Sequence, residues 1–98
     1  CGVRPAVIVS NNRANMHSPV ITVVPLTGQV HKKRFLPTHV FVPKCCGLNR
    51  DSLALAEQVE TIDKNSMREK RGHITDVAVM ESITRALQIQ IGIIEQYN

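Results

Sequence analysis

The sequence predicts an α+β domain, in which a curled antiparallel sheet or small barrel is followed by one long amphipathic helix. Short runs rich in Val, Ile and Leu, each ended by turn-forming residues, occupy most of the chain, and apolar residues then recur at intervals of three and four. A length of 98 residues is enough for one domain, predicted here to span 1–98. Only three residues are aromatic, so the core must be mainly aliphatic.

The first two predicted strands are the most apolar. Pro5–Ser10 is the first, and the turn-forming pair Asn11 and Asn12 ends it. Val20–Leu26 is almost wholly apolar, which predicts a strand buried on both faces.

The later strands are shorter. Thr38–Val42 alternates like a half-exposed strand. Ser52–Ala56 and Val59–Ile62 are predicted as two strands, or as one strand with a bulge near Glu57 and Gln58.

A change of period after Asp63 predicts helical structure. Ser66–Lys70 is predicted to form a short helical turn, and Thr75 is the expected N-cap of the main helix, with Asp76 in its first turn. The apolar stripe consists of Val77, Met80, Ile83, Leu87, Ile91 and Ile94. It predicts a helix of about six turns, with Gly92 weakening the last ones.

Charge is distributed very unevenly. Residues 51–98 carry five basic and eight acidic side chains, whereas residues 1–50 carry no Asp or Glu. The basic side chains of the first half are Arg4, Arg13, Lys32, Lys33, Arg34, Lys44 and Arg50. This field favours binding of nucleic acid, or of an acidic protein that mimics it, over a merely solvated basic face.

Several function classes are excluded by what the sequence lacks. The odd cysteine count and the adjacent pair Cys45 and Cys46 do not fit a secreted disulfide framework, and a C-x-x-C metal site is missing. Nucleotide-binding and hydrolase motifs are missing too. No apolar run approaches the ~18 residues of a membrane span, and no signal peptide opens the chain, so we expect a cytoplasmic protein without metal or cofactor.

A phosphodiesterase built from these residues would have to use cations, hydroxyls and imidazoles. RNA supplies its own nucleophile, the 2′-hydroxyl, so the protein would need only to position it and stabilise the developing charge. Arg4 stands directly before Pro5 at the mouth of the first strand, and Thr27 ends the second. Both placements are also common for residues without a function.

An ordered set of segments carries a family resemblance. The first segment is Cys1-Gly-Val-Arg-Pro-Ala-Val-Ile-Val-Ser-Asn11. The further segments are His17-Ser-Pro19, Val24-Pro-Leu-Thr27, Leu36-Pro-Thr-His-Val40, Gly47-Leu-Asn-Arg-Asp-Ser52, Glu57-Gln58, Thr61-Ile-Asp-Lys64 and Gly72-His73. In this order they resemble the MazF/PemK-type toxins over essentially the whole chain.

The resemblance implies a homodimeric mRNA interferase with an SH3-like small β-barrel and a long C-terminal helix. Such an enzyme cuts single-stranded RNA at a short motif without a metal ion, leaving 2′,3′-cyclic phosphate and 5′-hydroxyl ends, and so inhibits translation and growth. An acidic antitoxin is expected to neutralise it, and the complex would bind operator DNA through the antitoxin. Family members usually carry a further strand and loop ahead of the Gly-x-x-Arg-Pro segment, which we expect to be missing here.

The resemblance also implies roles for single residues. Arg4 would be the catalytic arginine at the scissile phosphate, and Thr27 the hydroxyl that orients the same group. The residues expected to contact RNA are Gln29, Ser52, Glu57 and Gln58. Glu57 and Gln58 could equally belong to a solvated strand bulge without a role in binding. The basic run Lys32, Lys33 and Arg34 would steer RNA. His39 is a candidate for proton transfer, or a structural residue hydrogen-bonded at the sheet edge.

Two other functions remain open. A toxin of the same fold could bind and inhibit a protein target such as DNA gyrase, a function that would concentrate recognition at the end of the last helix. Residues 93–98 show no such cluster. A plain nucleic-acid-binding barrel is the third possibility, which the scarcity of aromatic side chains for base stacking disfavours.

Overall fold

The computed structural model describes residues 3–31 and 36–95, which form an antiparallel sheet and a C-terminal helix, as the sequence predicts. The elements are β1 (Ala6–Ile8), α1 (Asn12–His17), β2 (Val20–Thr27), β3 (His39–Val42), β4 (Ser52–Leu55), β5 (Glu60–Asp63) and α2 (Val77–Gln90), with 3₁₀ turns at Ala56–Gln58 and Lys64–Ser66. Neither helix has the length and apolar character needed to cross a membrane; this finding covers the two described ranges.

Strand β2 is the centre of the sheet. It pairs with β1 along one edge, with Ala6 opposite Pro25, and with β4 and β5 along the other. The strand order is β1-β2-β4-β3, with β5 also on β2, and no pairing among the described residues closes the sheet into a ring. The predicted antiparallel architecture is therefore present as an open sheet.

The β4–β5 segment follows one edge of β2 with an interruption. Ala54 pairs with Leu26, but Glu60 pairs with Val23, so the register shifts by three residues between them. A 3₁₀ turn at Ala56–Gln58 takes up the extra residues. The prediction of a break near Glu57 and Gln58 was correct, and its form is a turn instead of a simple bulge.

The core lies between the sheet and α2. Val24 and Val42 are fully buried and Ala54 nearly so on the sheet side, and Ile83 and Ala86 are the helix residues in the same cluster. Burying one such aliphatic side chain contributes about 1.5–3 kcal/mol. Helix α2 also packs on β3, whose Val40 and Val42 belong to the same buried cluster, and His39 is buried in addition to these two.

Helix α2 is shorter than predicted. Asp76, not Thr75, is its N-cap, and the Asp76 carboxylate accepts hydrogen bonds from the backbone of Ala78 (2.9 Å) and Val79 (3.4 Å). The helix ends at Gln90, after about four turns. Gly92 then adopts a φ of +83°, which terminates helices readily.

The two ends of the predicted stripe consequently lie outside the core. Val77 and Ile91 are 68% and 66% exposed, because Val77 begins the helix and Ile91 follows its last residue. Only the middle of the stripe packs on the sheet.

Two short helical segments differ from the prediction. Asn11 does not simply end a strand, since its side chain caps α1 by accepting from the Ala14 backbone at 2.8 Å. Helix α1 buries none of its residues, so it has no apolar period that a sequence could reveal. The turn predicted at Ser66–Lys70 instead occupies Lys64–Ser66.

Candidate active site

Arg4 lies where β1 meets the end of β2. The Leu26 amide donates to the Pro5 carbonyl at 3.0 Å, so the pairing of the two strands extends past β1 toward the N-terminus. Continuing that register by one more residue places Arg4 opposite Thr27. Proline at the next position holds the Arg4 backbone in an extended conformation. Arg4 is exposed, and within the described ranges no carboxylate oxygen lies within 4.0 Å of its guanidinium.

Thr27 is the last residue of β2 and is partly buried. Its Oγ1 accepts a hydrogen bond from the Gln29 backbone at 3.2 Å, which tightens the turn that follows the strand. This bond uses the oxygen as an acceptor, so the hydroxyl hydrogen can still donate to a ligand. Gln29 itself is exposed beside it. The strand register therefore puts Arg4 and Thr27 at the same end of the β1–β2 pair, and Gln29 lies in the turn that follows Thr27.

A second arginine, which the sequence analysis counted only among the basic residues, belongs to the same region. Arg50 precedes β4, and its side chain lies across Gly28, the residue after Thr27. A Cβ added to Gly28 would be 3.0 Å from both Nε and Nη1 of Arg50. The sequence signal was the basic residue just before the strand that pairs with Thr27.

Ser52 is the first residue of β4 and is only 3% exposed. Its hydroxyl donates to the Arg50 carbonyl at 3.2 Å, within the turn that leads into the strand. This hydrogen bond helps to fix the backbone of the turn that contains Arg50. Contact of Ser52 with RNA stays a prediction.

Glu57 forms a separate polar group on the 3₁₀ turn. Its carboxylate accepts from the Thr38 hydroxyl at 2.8 Å and lies 3.0 Å from His39 Nε2. His39 Nδ1 accepts from the Leu36 amide at 3.2 Å, so Nε2 is the nitrogen that carries the hydrogen toward Glu57. His39 is buried at the sheet edge, the position expected if it is a structural residue. Thr38, the other side chain that bonds to Glu57, was not identified in the sequence analysis.

This network changes the ionisation of Glu57. Partial burial raises the pKa of Glu57, but hydrogen bonds from Thr38, from its own backbone and from His39 outweigh burial, so that the pKa lies below its ordinary value. Glu57 is therefore a carboxylate with two of its acceptor positions already occupied. Gln58, beside it, is exposed.

The two polar groups are neighbours, but they do not form one cluster. Glu57 falls between the pairs Ala54–Leu26 and Glu60–Val23, about 7–10 Å along β2 from Thr27 at ~3.4 Å per residue. Contacts of Glu57 and Gln58 with RNA bases stay predictions, as does proton transfer by His39. The steering residues Lys32, Lys33 and Arg34 lie outside the described residues.

The chemistry available at the Thr27 end of β2 is that of cations and a hydroxyl. Two guanidinium groups and one hydroxyl suit a phosphate group, because an arginine fork can donate two parallel hydrogen bonds to its oxygens. In residues 3–31 and 36–95 no three His, Cys, Asp or Glu side chains are grouped so as to hold a metal ion. Cys45 and Cys46 are free thiols.

Known proteins resemble this chain over nearly its full length. Residues 1–91 match the family of PemK-like, MazF-like toxins of type II toxin–antitoxin systems. Endoribonuclease EndoA of Bacillus subtilis is 40% identical over 95 residues, covering 96% of this chain and 80% of that protein. Endoribonuclease MazF of Staphylococcus saprophyticus is 38% identical over 93 residues, covering 94% and 76%.

Solved structures with a similar fold belong to the same kind of protein. A solved mycobacterial endoribonuclease, in complex with its cognate antitoxin, superposes with a TM-score of 0.80 at 31% identity, covering 95% of this chain and 84% of that one. Its likeness covers both the antiparallel sheet and the C-terminal helix, so the sequence-based resemblance is confirmed. The chain belongs to the PemK-like, MazF-like toxin family of type II toxin–antitoxin systems.

Proposed function

We propose that this protein is a toxin endoribonuclease that cuts single-stranded RNA at a short sequence motif without a metal ion. The observation that carries the proposal is the strand register, which continues to Arg4 opposite Thr27 at one end of β2, with no carboxylate oxygen of the described residues within 4.0 Å of the Arg4 guanidinium. The names of the two endoribonuclease relatives support the same activity.

The proposed reaction follows from the groups at this site. The RNA 2′-hydroxyl attacks the adjacent phosphorus, forming a P–O2′ bond and breaking the P–O5′ bond. The 2′-hydroxyl proton passes to a base or to water, and the departing 5′-oxygen takes up a proton, which leaves 2′,3′-cyclic phosphate and 5′-hydroxyl ends. Arg4 would stabilise the extra negative charge on the phosphorane, and Thr27 would orient the same group.

The test is a cleavage assay on a long single-stranded RNA in excess EDTA, with the protein expressed from its full reading frame. Cut sites and end chemistry are mapped for the wild type, for Arg4→Ala and for Arg13→Ala, which removes an equal charge from α1 at the other end of β2. We expect cuts at one motif with cyclic-phosphate ends, lost only in Arg4→Ala. A folded wild type that leaves a diverse RNA pool uncut would refute the enzyme and favour a protein target such as DNA gyrase.

The proposed partners follow from the same surface. Arg4 and Arg50 make the Thr27 end of β2 cationic, so an acidic antitoxin segment would compete with RNA for this strand end. The related mycobacterial endoribonuclease was solved with its antitoxin. An acidic peptide should inhibit cleavage competitively and less strongly as salt rises. Inhibition that is insensitive to salt would contradict this electrostatic competition.

The assembly and its setting are also proposals. A homodimer in the cytoplasm, with operator DNA bound through the antitoxin, is what the family resemblance implies. Light scattering of the purified protein at several concentrations tests the dimer, and a mass equal to one chain throughout would refute it. Mobility-shift assays on operator DNA, with and without antitoxin, test the last step.

A further inference from the structure

We propose that Arg50 binds an RNA phosphate at the Thr27 end of β2, and that Gly28 is needed because its missing side chain leaves room for Arg50. The proposal rests on the proposed function and deepens it by naming a phosphate-binding residue. Arg50 would bind the RNA before cleavage, whereas Arg4 would stabilise the charge that develops during cleavage.

The first observation is how closely Arg50 lies to the strand end. Its Nε and Nη1 atoms would each be 3.0 Å from a Gly28 Cβ, and its Cδ would be closer still. The guanidinium therefore lies over the residue that follows Thr27, and adjacent Cα atoms are only about 3.8 Å apart. A phosphate held by the Thr27 hydroxyl is within reach of this side chain.

The second observation is that the two arginines approach from different edges. Arg4 precedes β1 and Arg50 precedes β4, and these strands pair with opposite edges of β2. The end of β2 thus has an arginine before the neighbouring strand at each of its two edges. Such an arrangement fits a backbone phosphate better than a single surface arginine does.

The third observation is that the charge of Arg50 is not neutralised. Its sequence neighbour Asp51 accepts from the Lys44 amide at 2.7 Å and so belongs to the preceding turn. Within the described ranges no carboxylate oxygen lies within 4.0 Å of Arg50. Arg50 is exposed, and its donors are available to a ligand.

Gly28 offers a clean way to test the geometry. Its φ is not in the left-handed region, so alanine fits the backbone, and what the new Cβ meets is the flexible Arg50 side chain. Gly28→Ala should therefore displace the Arg50 guanidinium without unfolding the protein. It should act like the loss of Arg50 itself.

The experiment measures RNA binding by fluorescence anisotropy across a salt series, using the full natural chain. The probe is a labelled single-stranded RNA containing the mapped cut site with a 2′-deoxy sugar at the attacking position, or a mixed-sequence RNA if no site is mapped. The variants are Arg50→Ala, Gly28→Ala, the double variant and the control Arg13→Ala. Far-UV circular dichroism checks that each is folded.

Arg50→Ala should weaken binding roughly ten- to a hundredfold, the usual effect of losing hydrogen bonds to a charged group. The slope of log affinity against log salt should fall by about 0.7, as one phosphate contact to a single strand is lost. Gly28→Ala should reproduce much of this change, and the double variant should bind no more weakly than Arg50→Ala. Single-turnover cleavage at saturating protein should change far less than the affinity.

Each negative result has its own meaning. If the wild type cuts RNA and Arg50→Ala binds like Arg13→Ala, the role of Arg50 is refuted while the proposed function stands. Additive effects of Gly28→Ala and Arg50→Ala would refute the role given to Gly28. RNA that is bound but not cut refutes the nuclease and leaves Arg50 to be judged by affinity, whereas RNA that is neither bound nor cut refutes both.

Discussion

Replacing Glu57 by alanine should lower the free energy of unfolding by about 2–4 kcal/mol. The change removes the carboxylate that accepts from the hydroxyl of Thr38, which is 8% exposed, and that lies beside Nε2 of His39, which is 5% exposed. Each lost hydrogen bond to this charged group costs about 1–3 kcal/mol. The Glu57 side chain is itself 26% exposed, so water can enter and reduce the total.

Glu57→Gln tests the charge separately from the size. The amide oxygen can accept one of the two bonds, so we expect about half the loss. Because Thr38, the Glu57 backbone and His39 outweigh partial burial and hold the pKa of Glu57 below its ordinary value, the ionised form stabilises the fold. That stability is complete above the unfolded-state pKa and is lost as pH falls through the folded pKa. The difference between wild type and Glu57→Gln should therefore shrink as the pH falls below the ordinary pKa of a glutamate.

Urea unfolding followed by far-UV circular dichroism measures both effects, at one protein concentration since assembly also affects stability. Glu60→Gln is the matched control, because Glu60 is exposed on β5 and loses the same charge. A Glu57→Ala variant within about 0.5 kcal/mol of the wild type would refute the buried network. So would a gap between wild type and Glu57→Gln that stays constant with pH.

Three further predictions address the strand end, the helix cap and the loops. Thr27→Val should reduce cleavage roughly a hundredfold while lowering the melting temperature only slightly, through loss of the exposed bond from the Gln29 backbone, and Thr27→Ser should restore activity; an active valine variant would remove the hydroxyl from the mechanism. Asp76→Ala should cost about 1 kcal/mol by urea unfolding, with Asp76→Asn nearly neutral, whereas equal losses would contradict capping. Gly47→Ala should destabilise far more than Gly92→Ala, since both have positive φ but only the former Cβ meets the Arg71 backbone; similar melting temperatures would refute this.

The sequence revealed the elements that bury the most apolar side chains. Strand β2 was predictable because it is almost wholly apolar, and the middle of α2 because Ile83 and its apolar neighbours recur at intervals of three and four. Helix α1 buries nothing, so only its cap residue Asn11 could have indicated it. The exact start of α2 was not predictable because Thr75 and Asp76 are both good capping residues. Backbone geometry decides that the Asp76 side chain accepts from the first free amides.

The residues of the site also divide into those that the sequence could predict and those that it could not. Arg4 and Thr27 were found because their segments resemble a family and because each stands at a strand boundary. Arg50 was not found, since its relation to Gly28 arises only when β4 pairs with β2. Long-range contacts of this kind leave no local pattern in the sequence.

The position of Glu57 relative to Thr27 has an electrostatic consequence for the proposed reaction. A carboxylate beside the scissile phosphate would oppose the negative charge that develops on the phosphorane. Glu57 lies about 7–10 Å further along β2, close to the screening length of about 8 Å at physiological salt, and Thr38 and His39 hold its oxygens in place. In the proposed reaction the cationic end of β2 would bind phosphate, while the 3₁₀ turn would present an anionic acceptor at the β4–β5 edge of the strand. An RNA strand running along that edge would meet phosphate-binding groups first and a fixed carboxylate, suited to base amino groups, second.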